Sequence, residues 1–258
     1  MGTMFNNILK KAKLRLLRMH YESGVGHIGG NLSALDAMLY LHLEKIKKDD
    51  TFVLSKGHAA GALYITLWIM GKISDHDLKM FHKDNTKLSG HPVAGWLRDI
   101  PFSTGSLGHG LSLAAGRAKA KKIINEPGEI FCLMSDGEWQ EGSNWEALIF
   151  IVHHCLNNLT VLIDMNGLQG FGKTSDIGSL DPLMDKFRPF RVDVQEIDGH
   201  DPAALHAALE KKSERPRIIL LRTIKGHGVS FMEGRMEWHY LPITEKQYEL
   251  AIQEISAS

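Results

Sequence analysis

Cysteine is scarce: Cys132 and Cys155 are the only two in 258 residues. Both lie in apolar stretches, IFCLM and FIVHHCL, which suits buried free thiols in a reducing compartment and excludes a disulfide scaffold. Net charge is absent too. Lys and Arg number 30, as do Asp and Glu, so no overall field gathers nucleic acid. Charge or Gly breaks every long hydrophobic run, and none has the length a bilayer needs. The N-terminus has no uninterrupted apolar segment of the signal-peptide kind. After Gly2, Asn6 stands where a myristoylation motif requires Ser or Thr. No repeat, low-complexity tract or Pro/Ser-rich linker divides the chain. These absences predict one cytoplasmic domain over residues 1–258, with neither a nucleic-acid nor a membrane partner.

What is present is ordinary globular material, 43% hydrophobic and 23% charged. A chain of this length buries roughly 70–75% of the surface its unfolded form exposes. Short β-branched runs alternate with helical patterns, which predicts an α/β fold: a single doubly wound, mostly parallel sheet with helices on both faces. Strands are expected at Thr51–Leu54, Ile130–Met134, Thr160–Asp164, Arg191–Ile197 and Arg217–Arg222. Helices are expected at about 5–23, 33–44, 57–70, 108–123 and 142–156. Asn7–His20 mixes five basic residues with Ile8, Leu9, Ala12, Leu16 and Leu17, and reads as a packed first helix with a basic outer face. Asp201-Pro202 supplies an N-cap followed by Pro at the first helical position. Thr244 to Gln247 has the form of a capping box opening a last helix, about 244–255. Two irregular stretches, 84–107 and 166–180, are long enough to carry function.

The strongest local signal is Ser135-Asp136-Gly137 through Glu141-Gly142, followed by Asp164-Met165-Asn166-Gly167. Each segment follows a predicted strand, and carboxyl ends of parallel strands are where ligands bind. An Asp and an Asn at neighbouring strand ends place two hard oxygens on one small cation, as magnesium wants when phosphate oxygens and water complete its octahedron. Gly137 lets a diphosphate approach the backbone, a helix starting near Gly142 adds its N-terminal dipole, and the Leu168 carbonyl can join the ligands. An isolated Asp-Gly after a strand is as often a turn; pairing with Asn166 favours the cation.

Histidine is abundant, fourteen in all. His27, His58, His91 and His239 sit in loop settings, three of them beside Gly, and suggest a polar pocket of hydrogen-bonding imidazoles rather than a zinc site. His153 and His154 are adjacent on a helix, diverge, and are given no function. Thr104 to Gly110 is a Gly-rich loop before a helix, with neither Walker nor Rossmann spacing.

In this order the segments resemble the transketolase family. The likeness is carried by Gly26-His27-Ile28-Gly29-Gly30, Phe52 through Ser55-Lys56-Gly57-His58, Gly90-His91-Pro92, Ser103 to Gly108, Asp136 to Gly142, Asp164 to Asn166, and Lys225-Gly226 through Trp238-His239. It spans about His20 to Tyr240 and falls in the family's N-terminal third, the domain that binds the diphosphate of thiamine diphosphate. The resemblance implies that Asp136, the Asn166 side chain and the Leu168 carbonyl ligate Mg2+, for which Ca2+ or Mn2+ can substitute. It implies that His58, Gly105, Gly137 and Asn166 contact the cofactor, and that Leu107 lies against its aminopyrimidine. His27, His91 and His239 would face the thiazolium and the sugar hydroxyls, and Glu141 would join a polar network reaching toward a dimer partner. Ser135 stands where the family usually has Gly, and His109 where it commonly has Gln.

In transketolases the activating carboxylate, the pyrimidine pocket and the phosphate-gripping arginines belong to a second domain. This chain ends about 20 residues after His239. The expectation is therefore the first subunit of a split transketolase, moving a two-carbon ketol unit between sugar phosphates with a partner chain that carries the pyrimidine-binding domain, two copies of each. Alternatives are the α subunit of a 2-oxo acid dehydrogenase, a deoxyxylulose phosphate synthase, and a non-catalytic binding subunit.

Overall fold

The computed structural model describes residues 2–257. Its elements run α1 (Gly2–Ser23), α2 (Ile28–Tyr40), β1 (Thr51–Leu54), α3 (Ala60–Ile69), α4 (Asp75–Lys79), α5 (Gly110–Ile123), β2 (Ile130–Ser135), α6 (Gly142–His153), β3 (Leu159–Met165), α7 (Thr174–Gly178), α8 (Leu183–Phe187), β4 (Asp193–Asp198), α9 (Pro202–Glu210), β5 (Arg217–Arg222) and α10 (Glu245–Ala257). The five strands form one parallel sheet in the order β1-β2-β3-β5-β4.

A parallel sheet covered on both faces needs strands that are apolar throughout, and Ile130–Met134 and Ile218–Leu221 are fully buried. Alternate residues feed two cores. Phe52, Phe131, Leu133, Leu162 and Ile219 face α1, α2 and α3. Val53, Cys132, Met134, Val161 and Ile218 face α5 and α6. Helices on both faces and an all-parallel sheet are the architecture expected above. No helix among the described residues is long and apolar enough to cross a membrane.

Several boundaries move for local reasons. The second helix starts at Ile28, five residues early, because His27 takes a left-handed backbone (φ 67°) and serves as its N-cap. Its end widens into a π-helical turn at Leu41–Lys45. The strand expected from Arg191 begins at Asp193, since Arg191 is itself left-handed (φ 58°). Between Asp136 and α6 stands a 3-10 turn, Gly137–Gln140, so the helical start nearest Asp136 is that turn and not Gly142. The 166–180 stretch holds α7, whereas 84–107 contains no helix or strand. Asp201 caps α9 by accepting from Ala203 N at 2.8 Å. At Thr244 the Gln247 side chain accepts from both the backbone N–H (3.0 Å) and the hydroxyl (2.8 Å).

Candidate active site

The carboxyl ends of β1, β2, β3 and β5 release the chain into Ser55-Lys56, Asp136, Asn166 and Thr223–Lys225. Asp136 Oδ1 accepts from Gly137 N (2.8 Å), and Oδ2 accepts from Gly167 N (2.7 Å) and the Thr174 hydroxyl (3.1 Å). Burial, with Asp164 beside it, pushes the Asp136 carboxyl up to about 6. No cationic side chain stands within ion-pair distance of it among the described residues. Asn166 Oδ1 accepts from Leu168 N at 3.1 Å. The Leu168 carbonyl accepts from Lys225 Nζ at 3.4 Å, and the same ammonium lies 3.1 Å from His239 Nδ1.

The four loop histidines come together. His27 N–H donates to the His239 carbonyl at 3.0 Å. Ring centroids of His27 lie 5.0 Å from His239, 5.8 Å from His58 and 6.0 Å from His91. Burial is the first cause holding His27 down to about 4, His239 to about 3, and His58 and His91 below the ordinary imidazole value. All four are neutral at pH 7, each offering one donor and one acceptor. Gly29 explains how the two segments close up: a Cβ there would stand 3.0 Å from Lys225 Cγ and 3.1 Å from Trp238 Cβ.

One cavity of about 240 Å3 gathers these groups. Asp136, Gly137, Asn166 and Leu168 line it, as do His27, His58, His91, His239, Gly105 and Leu107. Glu141 does not: it is exposed, with its side chain against Gly108. The buried glutamate in the wall is Glu138, which accepts from Gly108 N (3.0 Å) and Ser135 N (3.3 Å) and from the Ser55 hydroxyl.

Lys56, Glu138 and Lys225 receive no role from the sequence alone. Lys56 is fully buried and pairs with Asp164, also fully buried, while donating to the Gly30 carbonyl at 3.2 Å. Asp164 further accepts from the Ser33 hydroxyl (2.6 Å) and from Thr223. Burial alone would raise the Asp164 carboxyl; Lys56 and these donors more than offset it and hold it low. Burial pushes the Lys225 ammonium down to about 8. The available signal was a Lys directly after an apolar strand, at Phe-Val-Leu-Ser-Lys56.

Outside the cavity Asp36, His200 and His227 converge within reach of one another. Ile224 N–H donates to His200 Nε2 at 2.9 Å, which leaves the proton on Nδ1, 3.4 Å from Asp36 Oδ1. Lys13 Nζ lies 3.1 Å from His227 Nδ1 and 3.7 Å from Asp36 Oδ2. Neither Asp36 oxygen makes a hydrogen bond among the described residues; the buried carboxylate is balanced by the charge of Lys13 and by the two imidazoles beside it.

A parallel sheet with Asp and Asn at adjacent strand ends, facing a set of neutral imidazoles, defines a cofactor-binding α/β domain. The family described as transketolase, thiamine diphosphate binding domain, matches residues 17–255, and the chain belongs to it. It is 37% identical to one of the subunits of apulose-4-phosphate transketolase from Phocaeicola vulgatus, over 96% of this chain and 92% of that one. It is 36% identical to a subunit of the 6-deoxy-6-sulfo-D-fructose transketolase of a Clostridium species, over 96% and 94%. Among solved structures, transketolase from Campylobacter jejuni superposes with a TM-score of 0.86 at 30% identity, covering 97% of this chain and 43% of that one. The chain thus spans less than half of the solved transketolases it matches and nearly the whole of the subunits named above.

Proposed function

We propose that this chain is the diphosphate-binding subunit of a two-chain, magnesium- and thiamine diphosphate-dependent transketolase. The observation that carries the reading is the single cavity with two chemically distinct walls. One wall has hard oxygens from Asp136, Asn166 and the Leu168 carbonyl; the other has four neutral imidazoles.

The residues suit the absent groups. Asp136 is a buried carboxylate without a cationic partner among the described residues, and its raised proton affinity is what a divalent ion would relieve. Its companions are carbonyl oxygens of the kind Mg2+, or Ca2+ or Mn2+ in its place, accepts. Lys225 and the Gly137 backbone line the same wall and suit phosphate oxygens. Thiamine diphosphate, when bound, supplies the carbon that adds to a ketose carbonyl. This chain's share of the reaction is to bind and orient. His58, Gly105, Leu107 and Gly137 would contact the cofactor, with Asn166 shared between metal and cofactor. His27, His91 and His239 would hydrogen-bond the hydroxyls of a sugar or sugar phosphate through whichever ring nitrogen each leaves free. Glu141, exposed beside Gly108, is available to a neighbouring chain.

The relatives that this chain covers almost completely are named as subunits, which supports a separate partner chain; on our reading that partner carries the pyrimidine-binding half, and two copies of each form a cytoplasmic assembly. The test is calorimetric titration of thiamine diphosphate and Mg2+ into the chain, alone and with the partner. Tight binding and ketol transfer are expected only with the partner, and Asp136→Ala in the reconstituted pair should abolish metal-dependent binding. Robust turnover by the chain alone, or unchanged cofactor affinity in Asp136→Ala, would overturn the reading.

A further inference from the structure

A second cavity, of about 230 Å3, shares His27, His58 and His91 with the first but is lined by none of Asp136, Asn166 or Leu168. Its own walls are His20, His82, Val25 and Phe81, and no Lys, Arg, Asp or Glu of the described residues lines it. Asn31 is committed to holding the common wall, donating to the His27 carbonyl (2.8 Å) and the His58 carbonyl (3.0 Å) while accepting from Ala62 N (2.7 Å).

His20 and His82 differ in what they offer. The buried His20 ring uses Nδ1 to reach the Leu16 carbonyl at 3.2 Å, which leaves Nε2 as an acceptor. Burial holds His20 down to about 4, so the ring is neutral. His82 is exposed at the outer end of the cavity, in a left-handed backbone (φ 60°), with its ring so near Gly90 that a Cβ there would meet it at 2.9 Å. Its ring nitrogens make no hydrogen bond among the described residues. An anionic group in such a recess would shed water without meeting a Lys or Arg side chain, whereas hydroxyl groups would find imidazole nitrogens as hydrogen-bond partners between apolar walls.

We infer that this recess is a substrate subsite for the uncharged, hydroxyl-bearing end of a sugar, with His82 and His20 as its specificity-determining contacts. The inference rests on the transketolase reading and adds to it: the charged end of any substrate is held elsewhere. The recess adjoins His27 and His91, so a chain seated in it keeps its carbonyl end beside the imidazoles of the first cavity.

The test uses the chain reconstituted with its partner, L-erythrulose as donor, and D-erythrose or D-erythrose 4-phosphate as acceptor. His82→Ala should raise KM for D-erythrose about tenfold, the effect of losing roughly one hydrogen bond, with the loss falling on KM rather than kcat. His82→Arg should shift preference toward the phosphorylated acceptor. A KM for D-erythrose within about twofold of wild type in His82→Ala, or equal weakening of both acceptors, would overturn the inference. If the wild-type pair transfers no ketol unit to either acceptor, the transketolase reading fails. The recess is then decided by titrating the chain with erythritol and following the imidazole nitrogen resonances of His20 and His82. Shifts of both support the subsite, and unmoved resonances refute it.

Discussion

Lys56→Met should cost this chain about 3 kcal/mol of folding stability, the lower end of the 3–5 kcal/mol typical when one partner of a buried ion pair is removed. Neither Lys56 nor Asp164 has any exposed side-chain surface, so solvent does not screen the pair. Met keeps most of the apolar stem but leaves the Asp164 carboxylate without its cation. The lower end applies because Asp164 retains the hydroxyls of Ser33 and Thr223 and a weak contact from Asn166 Nδ2 at 3.4 Å. For a domain of this size each kcal/mol moves the thermal midpoint by about 2–4 °C, so the drop should be roughly 6–12 °C. Urea unfolding followed by circular dichroism measures it directly, provided the m-value is unchanged. Lys56→Met combined with Asp164→Leu removes both charges and should recover much of the loss. A single variant within about 1 kcal/mol of wild type, or a double variant as unstable as the two singles summed, would refute the claim that Lys56 is there to neutralise Asp164.

Acid should destabilise the fold through its buried imidazoles. His20 and His42 are held down to about 4 by burial, whereas in the unfolded chain they titrate near 6.5. The unfolded state therefore binds more protons between these values, and stability falls as pH drops from about 6.5 to 4, by up to about 1.4 kcal/mol per unit for each residue. Urea midpoints at pH 7, 6 and 5 check this, and a flat profile would contradict it. Gly57→Ala should cost about 2 kcal/mol or more, because its Cβ would stand 2.8 Å from Gly105 N and 2.9 Å from the Thr104 carbonyl carbon. The same variant should weaken cofactor binding in the reconstituted pair, since the clash parts His58 from Gly105. Phe171, 85% exposed at the cavity rim, is expected to meet the partner chain. Phe171→Asp should weaken association in analytical ultracentrifugation while leaving the melting temperature of the isolated chain unchanged, and unaltered association would rule out that contact.

The sheet was legible because its strands are short and bounded by polar residues, all but the edge strand β4 being apolar, and each of the five expected strands is present. A continuous apolar run of that length needs no tertiary knowledge to be read as a strand buried on both faces. What moved were boundaries set by single backbone conformations. His27 and Arg191 adopt left-handed φ values that no propensity favours, and each shifts the edge of an element by a residue or more. The 3-10 turn after Asp136 was invisible for a related reason. Gly137–Gln140 has no periodic signature, and the turn exists because Asp136 caps it and Trp139 packs into the core.

The candidate site divides along the same line. Asp136, Asn166 and the histidines other than His239 are readable in one dimension because each sits at a strand end or beside a glycine. Glu138 and Glu141 show where that method stops. Both are acidic, three residues apart in one motif, and local pattern cannot tell which is buried. The choice is made by Ser55 and Gly108, which are remote in sequence and present a hydroxyl and an amide that only Glu138 reaches. Lys56 is the stronger case. A lysine after a strand ordinarily points to water, and here it turns inward because Asp164, on a strand two places away in the sheet, supplies a charge that must be matched. The carboxylate–amide wall and the imidazole wall are thus made by residues that line the cavity, while the buried Lys56–Asp164 ion pair lies behind them and is not among the cavity-lining residues. Substituting Lys56 should for that reason disturb the site even though its ammonium donates inward, to Asp164 and the Gly30 carbonyl.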